Sequence, residues 1–124
     1  MRTLILLAFA AVLSTVAAAS GPLDGKTIAV AFSEGAKAMD QDQLVFAAGK
    51  LGLPGCEKQF GFAPAAYTAK PAAKGKAAFE AVLTSTKHGT LAVTGLITEA
   101  GTVEGTRTWS KPGKDPIVHT FRSK

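Results

Sequence analysis

Two polar side chains stand where the residue pattern puts apolar ones. Along Thr102–Lys111, Arg107 alternates into the face of Val103 and Trp109; along Ile117–Arg122, His119 shares a face with Ile117 and Phe121. If these runs are strands that close on themselves, both side chains point inward, where an unpaired charge is costly. Groups of this kind are paired, sit at the barrel mouth, or belong to a polar ligand site. In one reading the strand end lets Arg107 snorkel outward with its stem on Trp109. In the other, Arg107 and His119 meet an anionic group in a small pocket walled by Trp109 or Tyr67. The candidate ligand-binding residues are therefore Arg107, His119, Trp109 and Tyr67. A one-residue register slip would turn each of them to the opposite face.

Cys56 is the single cysteine. It reads either as a small buried hydrophobe or as a reactive thiol that pairs with a partner. Phe60, Phe62 and Tyr67 follow it along the chain, as core packing or as an aromatic rim at an opening. Other chemistry is thin. His88 and His119 have no metal-ligand spacing, there is no CxxC, and no GxSxG or phosphate-cradling loop occurs. The acidic pairs Asp40/Asp42 and Glu99/Glu104 fall in turns or on outer faces by this reading. The expectation is a non-enzymatic protein without metal or cofactor, with a small hydrolase ranked last.

The elements that must carry these residues are strands. Lys26–Glu34 alternates Ile28, Val30 and Phe32 against small residues. Runs at 79–86, 90–99, 102–111 and 117–122 are separated by Lys87-His88-Gly89, Glu99-Ala100-Gly101 and Lys111–Pro116, all rich in Gly or Pro. They read as an antiparallel meander, with Thr-rich outer faces that suit a pleated surface. Two segments, 40–48 and 72–83, fit strand or helix and are taken as strands. Residues 54–75 carry Pro54, Pro64 and Pro71 and are expected to be irregular around a short strand near Ala66–Ala69. The fold class is all-β: a small antiparallel β-barrel of about seven or eight strands.

Residues 1–19 have the pattern of a secretory signal peptide. Arg2 precedes the uncharged run Leu4–Leu13, Ala17-Ala18-Ala19 offers small side chains for cleavage, and Gly21-Pro22 breaks any helix. The run is too short to span a bilayer. A signal-peptide helix followed by one domain, residues 20–124, is the expected organisation, and a secreted or periplasmic location follows. The chain's net charge of +5 becomes +4 once Arg2 leaves. Lys70, Lys74 and Lys76 form a loose basic cluster without interleaved aromatics, a solvated loop rather than a nucleic-acid groove. With one cysteine the domain has no internal disulfide and must stand on its core.

The chain resembles a family of small exported bacterial β-proteins to which no activity is attached. The resemblance is carried by Leu23-Asp24-Gly25-Lys26-Thr27, Leu44-Val45-Phe46 with Gly49-Lys50, and Cys56 with Phe60-Gly61-Phe62 and Tyr67-Thr68-Ala69. It is carried further by Val103-Glu104-Gly105-Thr106, Thr108-Trp109, Lys111 and Pro116-Ile117. It implies a small antiparallel barrel, lipocalin-like in outline. Arg107 departs from the pattern, which has an apolar or β-branched residue there. The function expected is a binding or accessory module that holds a small apolar or anionic ligand in the barrel mouth. The alternative is an interaction or structural module with a filled barrel and a protein partner. Oligomeric state is left open.

Overall fold

The structure is a computed structural model and describes residues 21–124; the signal-peptide helix expected over residues 1–19 lies outside the described residues. Eight strands follow in chain order: β1 Thr27–Glu34, β2 Lys37–Ala47, β3 Lys50–Gly52, β4 Ala65–Pro71, β5 Ala77–Ser85, β6 Gly89–Ile97, β7 Val103–Ser110 and β8 Ile117–Ser123. Each pairs antiparallel with the next, and β8 returns to β1 from Val30↔Ser123 to Ser33↔Thr120, so the sheet closes into a barrel. Closure removes the free edges that an open sheet would expose. Both ambiguous segments are strands in their main part, β2 and β5, with a single 3-10 turn at Ala73–Gly75 before β5.

Period-two alternation fixes what points inward. Val30 and Phe32 of β1, Leu44 and Phe46 of β2, Phe79, Ala81 and Leu83 of β5, and Leu91, Val93 and Ile97 of β6 are all buried. Gly95 and Gly105 face each other across β6 and β7. A Cβ on Gly95 would stand 2.7 Å from the Phe79 ring, and one on Gly105 2.7 Å from that of Phe121. Two large rings thus cross the interior only because two inward positions carry no side chain.

The hairpin turns alternate between two ends. The upper end carries the β1–β2, β5–β6 and β7–β8 turns and the long β3–β4 connection; the lower end carries the β2–β3, β4–β5 and β6–β7 turns and the N-terminal turn at Gly21–Gly25. The β3–β4 connection is not wholly irregular, as expected from its prolines: it contains a helix, α1, at Pro54–Phe60. Its N-cap position, Leu53, supplies no side-chain cap. The cap comes instead from β2, where the Asp42 carboxylate accepts from Gly55 N at 2.8 Å and Cys56 N at 3.0 Å. Gly61 ends the helix in the left-handed region, φ 78°, with its N–H on the Glu57 carbonyl. The prolines therefore mark a helix start, and the acid taken for a turn residue is that helix's cap.

Candidate functional site

Arg107 sits on β7 opposite His119 of β8 and Val93 of β6, pointing into the barrel as alternation requires. Its side chain does not snorkel outward: it is 4% exposed, and its guanidinium lies 3.6 Å from the centre of the Phe32 ring. Trp109 instead carries the Lys111 ammonium over its face, at 4.2 Å. What makes a buried guanidinium tolerable is Asp40. Its two oxygens accept from Nη2 at 3.0 Å and Nη1 at 3.2 Å, a bidentate pair.

Asp40 reaches that position through a bulge. The β1–β2 register passes from Ala31↔Gln41 to Ser33↔Ala38, so Met39 and Asp40 stand together against Phe32. Bulges re-aim side chains, and here both residues come to line the same cleft. Asp40 is therefore neither a turn acid nor an outer-face one. Counting back in twos from the buried Phe46 and Leu44 through Asp42 reaches Asp40, the one signal in the sequence that points to it.

The remaining guanidinium hydrogens are also used. Nε and Nη2 converge on His119 Nδ1, at 3.2 and 2.8 Å, and Nη1 lies 3.5 Å from Cys56 Sγ. Arginine cannot give up its proton, so Nδ1 must accept. His119 is then neutral with its hydrogen on Nε2, 3.7 Å from Glu34. Burial first, then the Arg107 charge, lowers the His119 pKa below its ordinary 6.5, against the pull of Glu34 and Asp40. For Asp40, burial works upward, but hydrogen bonds and charge from Arg107 outweigh it and hold the carboxyl below its ordinary 3.8. Cys56 is buried, and burial pushes its thiol up to about 12. A thiol held protonated is a poor nucleophile.

Above this polar floor opens a cleft of about 350 Å³. Its walls are Met39, Leu91, Phe60, Phe62 and Trp109, with Cys56 and Gln59 from α1. The aromatic rings pack edge to face, Trp109 to Phe60 at 5.0 Å and to Phe62 at 5.9 Å between centroids. The Trp109 indole is fixed by donation to the His88 carbonyl at 2.7 Å. Phe60, partly buried, stands at the opening, whereas Phe62 and Cys56 are buried in the core behind it. Among the described residues no group of three or more His, Cys, Asp or Glu is placed to hold a metal ion. A larger hollow, about 640 Å³, lies on the outer face of β4–β8 and includes Thr68, Thr94, Thr106 and Thr120. Two of these hydroxyls already bond each other, Thr94 to Thr106 at 3.1 Å, and of the three buried polar side chains Ser85, Arg107 and His119 none lines it.

Of the residues read from the sequence, Arg107, His119, Trp109 and Cys56 come together. Tyr67 does not: it lies toward the lower end, edge-on to Phe46 at 5.0 Å. There its hydroxyl accepts from Leu23 N at 2.7 Å and donates to Asp24 at 2.9 Å. Asp24 also accepts from Gly21 N and Gly49 N, tying the N-terminal turn to the β2–β3 turn. Set against protein-family models, curated proteins and solved structures, the chain matches none.

Proposed function

We propose that the protein is an exported barrel module that reversibly captures a small, largely apolar molecule at its upper end. The observation that carries this is the cleft: about 350 Å³, walled by aromatic and aliphatic side chains, with a few polar groups converging at one place on its floor. Small-molecule sites have this size and this composition. The barrel interior proper is filled by side chains exposed by no more than a few per cent, so capture is confined to the mouth. Export rests on the sequence of residues 1–19, and a secreted or periplasmic setting follows from it. The likeness to small exported bacterial proteins supports the same setting.

Trp109 is the only tryptophan and lines the cleft. Its fluorescence therefore reports occupancy. N-phenyl-1-naphthylamine, a neutral apolar probe, is expected to quench Trp109 saturably and to brighten as it binds. Leu91→Trp fills the cleft and is expected to abolish probe brightening. Brightening that is unsaturable, or unchanged in that variant, contradicts the proposal.

A second reading, an interaction module, is favoured by one feature. Val82 and Val118, 56% and 52% exposed, lie in one outward cross-strand row with Ala92 and Thr108. It requires concentration-dependent association that Val82→Lys with Val118→Lys removes.

A further inference from the structure

The floor of the cleft is balanced for one carboxylate, and that carboxylate is already present. Asp40 gives −1, Arg107 gives +1, and His119, its Nδ1 accepting two Arg107 hydrogens, is neutral. All five guanidinium hydrogens have acceptors. An anionic group entering the cleft meets an arginine with nothing left to donate and a resident negative charge. Asp40 is about half exposed at the mouth, so it can yield its place, but two carboxylates would still face one guanidinium.

We infer that the cleft takes an anionic ligand, an aromatic or aliphatic carboxylate, together with one proton, which is held by His119. This rests on the capture function proposed above and names the ligand class and its regulation. The proton comes from solvent and goes to Nδ1, the one ring nitrogen without a hydrogen. With a hydrogen there, Nδ1 no longer accepts from Arg107, and the ring turns that N–H toward the incoming carboxylate. The ligand carboxylate and Asp40 then face Arg107 and the imidazolium inside the cleft, with Glu34 on the far side of the imidazole. The charged groups facing His119 are Arg107 from β7, Glu34 from β1 and Asp40 from β2. Glu34, 3.7 Å from Nε2, is placed to hold the imidazolium's other hydrogen. Cys56 from α1 reaches the cluster only through Arg107 and stays a protonated thiol. Burial and the Arg107 charge disfavour the imidazolium in the empty cleft, so the proton arrives with the ligand rather than before it.

The test is calorimetric titration of the mature chain, residues 20–124, with 1-naphthoate and with its neutral isostere 1-naphthamide. Titrations run at pH 5, 6.5 and 8 in buffers of different ionisation enthalpy. Naphthoate is expected to bind more than about a hundredfold tighter at pH 5 than at pH 8, with uptake of close to one proton near neutrality, where affinity falls about tenfold per pH unit. Naphthamide is expected to bind equally at all three. In His119→Gln, which can accept from Arg107 but cannot be protonated, the pH dependence of naphthoate is expected to vanish. Asp40→Asn removes the resident carboxylate, so naphthoate is expected to bind it tightly at pH 8 without proton uptake. Naphthamide binding with pH-independent naphthoate, or naphthoate uptake of protons unchanged in His119→Gln, overturns proton-coupled capture and leaves the cleft standing. Failure of both probes to bind overturns the cleft reading as well.

Discussion

At the lower end of the barrel, Phe46 meets Tyr67 and Phe79 edge-on, and the turn at Gly21–Gly25 closes over them. The polar atoms there serve closure: Tyr67 and Asp24 bind backbone N–H groups of Leu23, Gly21 and Gly49. At the upper end, Trp109, Phe60 and Phe62 also meet edge to face, but they stand around an opening. On the cleft floor Arg107 binds Asp40 and His119, and none of those hydrogen bonds ties one backbone segment to another; the groups that fasten backbone at this end, Asp42, Ser85 and Trp109, do so around the floor, at α1 and the β5–β6 turn. Alike in their aromatic packing, the ends differ in what their central polar clusters hold, Tyr67 with Asp24 below and Arg107 with Asp40 and His119 above. The lower cluster fastens the chain. The upper cluster fastens only its own side chains, and so can rearrange around a guest.

The contrast breaks most visibly through core truncation. Phe46→Ala at the lower end is expected to cost about 3–5 kcal/mol, through lost burial and a cavity. Denaturant unfolding measures this, and N-phenyl-1-naphthylamine affinity, extrapolated to the folded fraction, should not change. Arg107→Met removes one member of a buried pair. The other member, Asp40, is half exposed and regains water, so the expected loss is smaller, about 2 kcal/mol. Its mark is on binding: naphthoate affinity is expected to collapse while the neutral probe still binds. Tyr67→Phe deletes the hydroxyl that serves Leu23 N and Asp24. An expected cost of about 1–2 kcal/mol, with earlier hydrogen exchange at Leu23 and Gly49 and no effect on either probe, would sharpen the division of labour.

Acid should separate the ends by pH window. His119 has a lowered pKa in the folded chain, so below 6.5 the unfolded chain takes up the proton first and stability falls as pH drops. Asp40 and Asp24 are likewise lowered from 3.8. Their contribution is complete above that value and is lost as pH falls through their folded pKa values. Thermal melts are thus expected to decline in two stages, the upper end first as pH falls below 6.5 and both ends as it falls below 3.8. His119→Gln should erase the first stage alone. The smallest effect concerns Cys56. With its thiol pushed up to about 12, it is expected to resist a thiol reagent at pH 8 until denaturant is added. Rapid native labelling would mean the upper end opens far more than this cleft does.

The alternation that builds the barrel was plain in the sequence, because every strand with one buried face repeats at period two. Arg107 and His119 stood out as exceptions to it, and the structure places both inward as the pattern implied. What balances them was harder to see. Asp40 lies 67 positions from Arg107, past a bulge that local alternation does not announce. The helix α1 was illegible for a related reason: its cap, Asp42, comes from another strand and not from the residue before it. Tyr67 was drawn toward the cleft by its nearness in sequence to Cys56 and Phe62, but β4 runs away from the opening and carries it to the lower end. Pattern specified the scaffold; long-range pairing specified the site.

The central claim is that the upper end, and only the upper end, receives a ligand. The most direct measurement is backbone amide chemical-shift mapping of the folded chain titrated with N-phenyl-1-naphthylamine. Saturable shifts confined to Met39–Asp40, Cys56–Phe62, Arg107–Trp109 and His119, with Leu23, Gly49 and Tyr67 unmoved, are the expected result. Shifts centred on Tyr67 and Asp24, or spread over the outer face of β4–β8 without saturation, would contradict it.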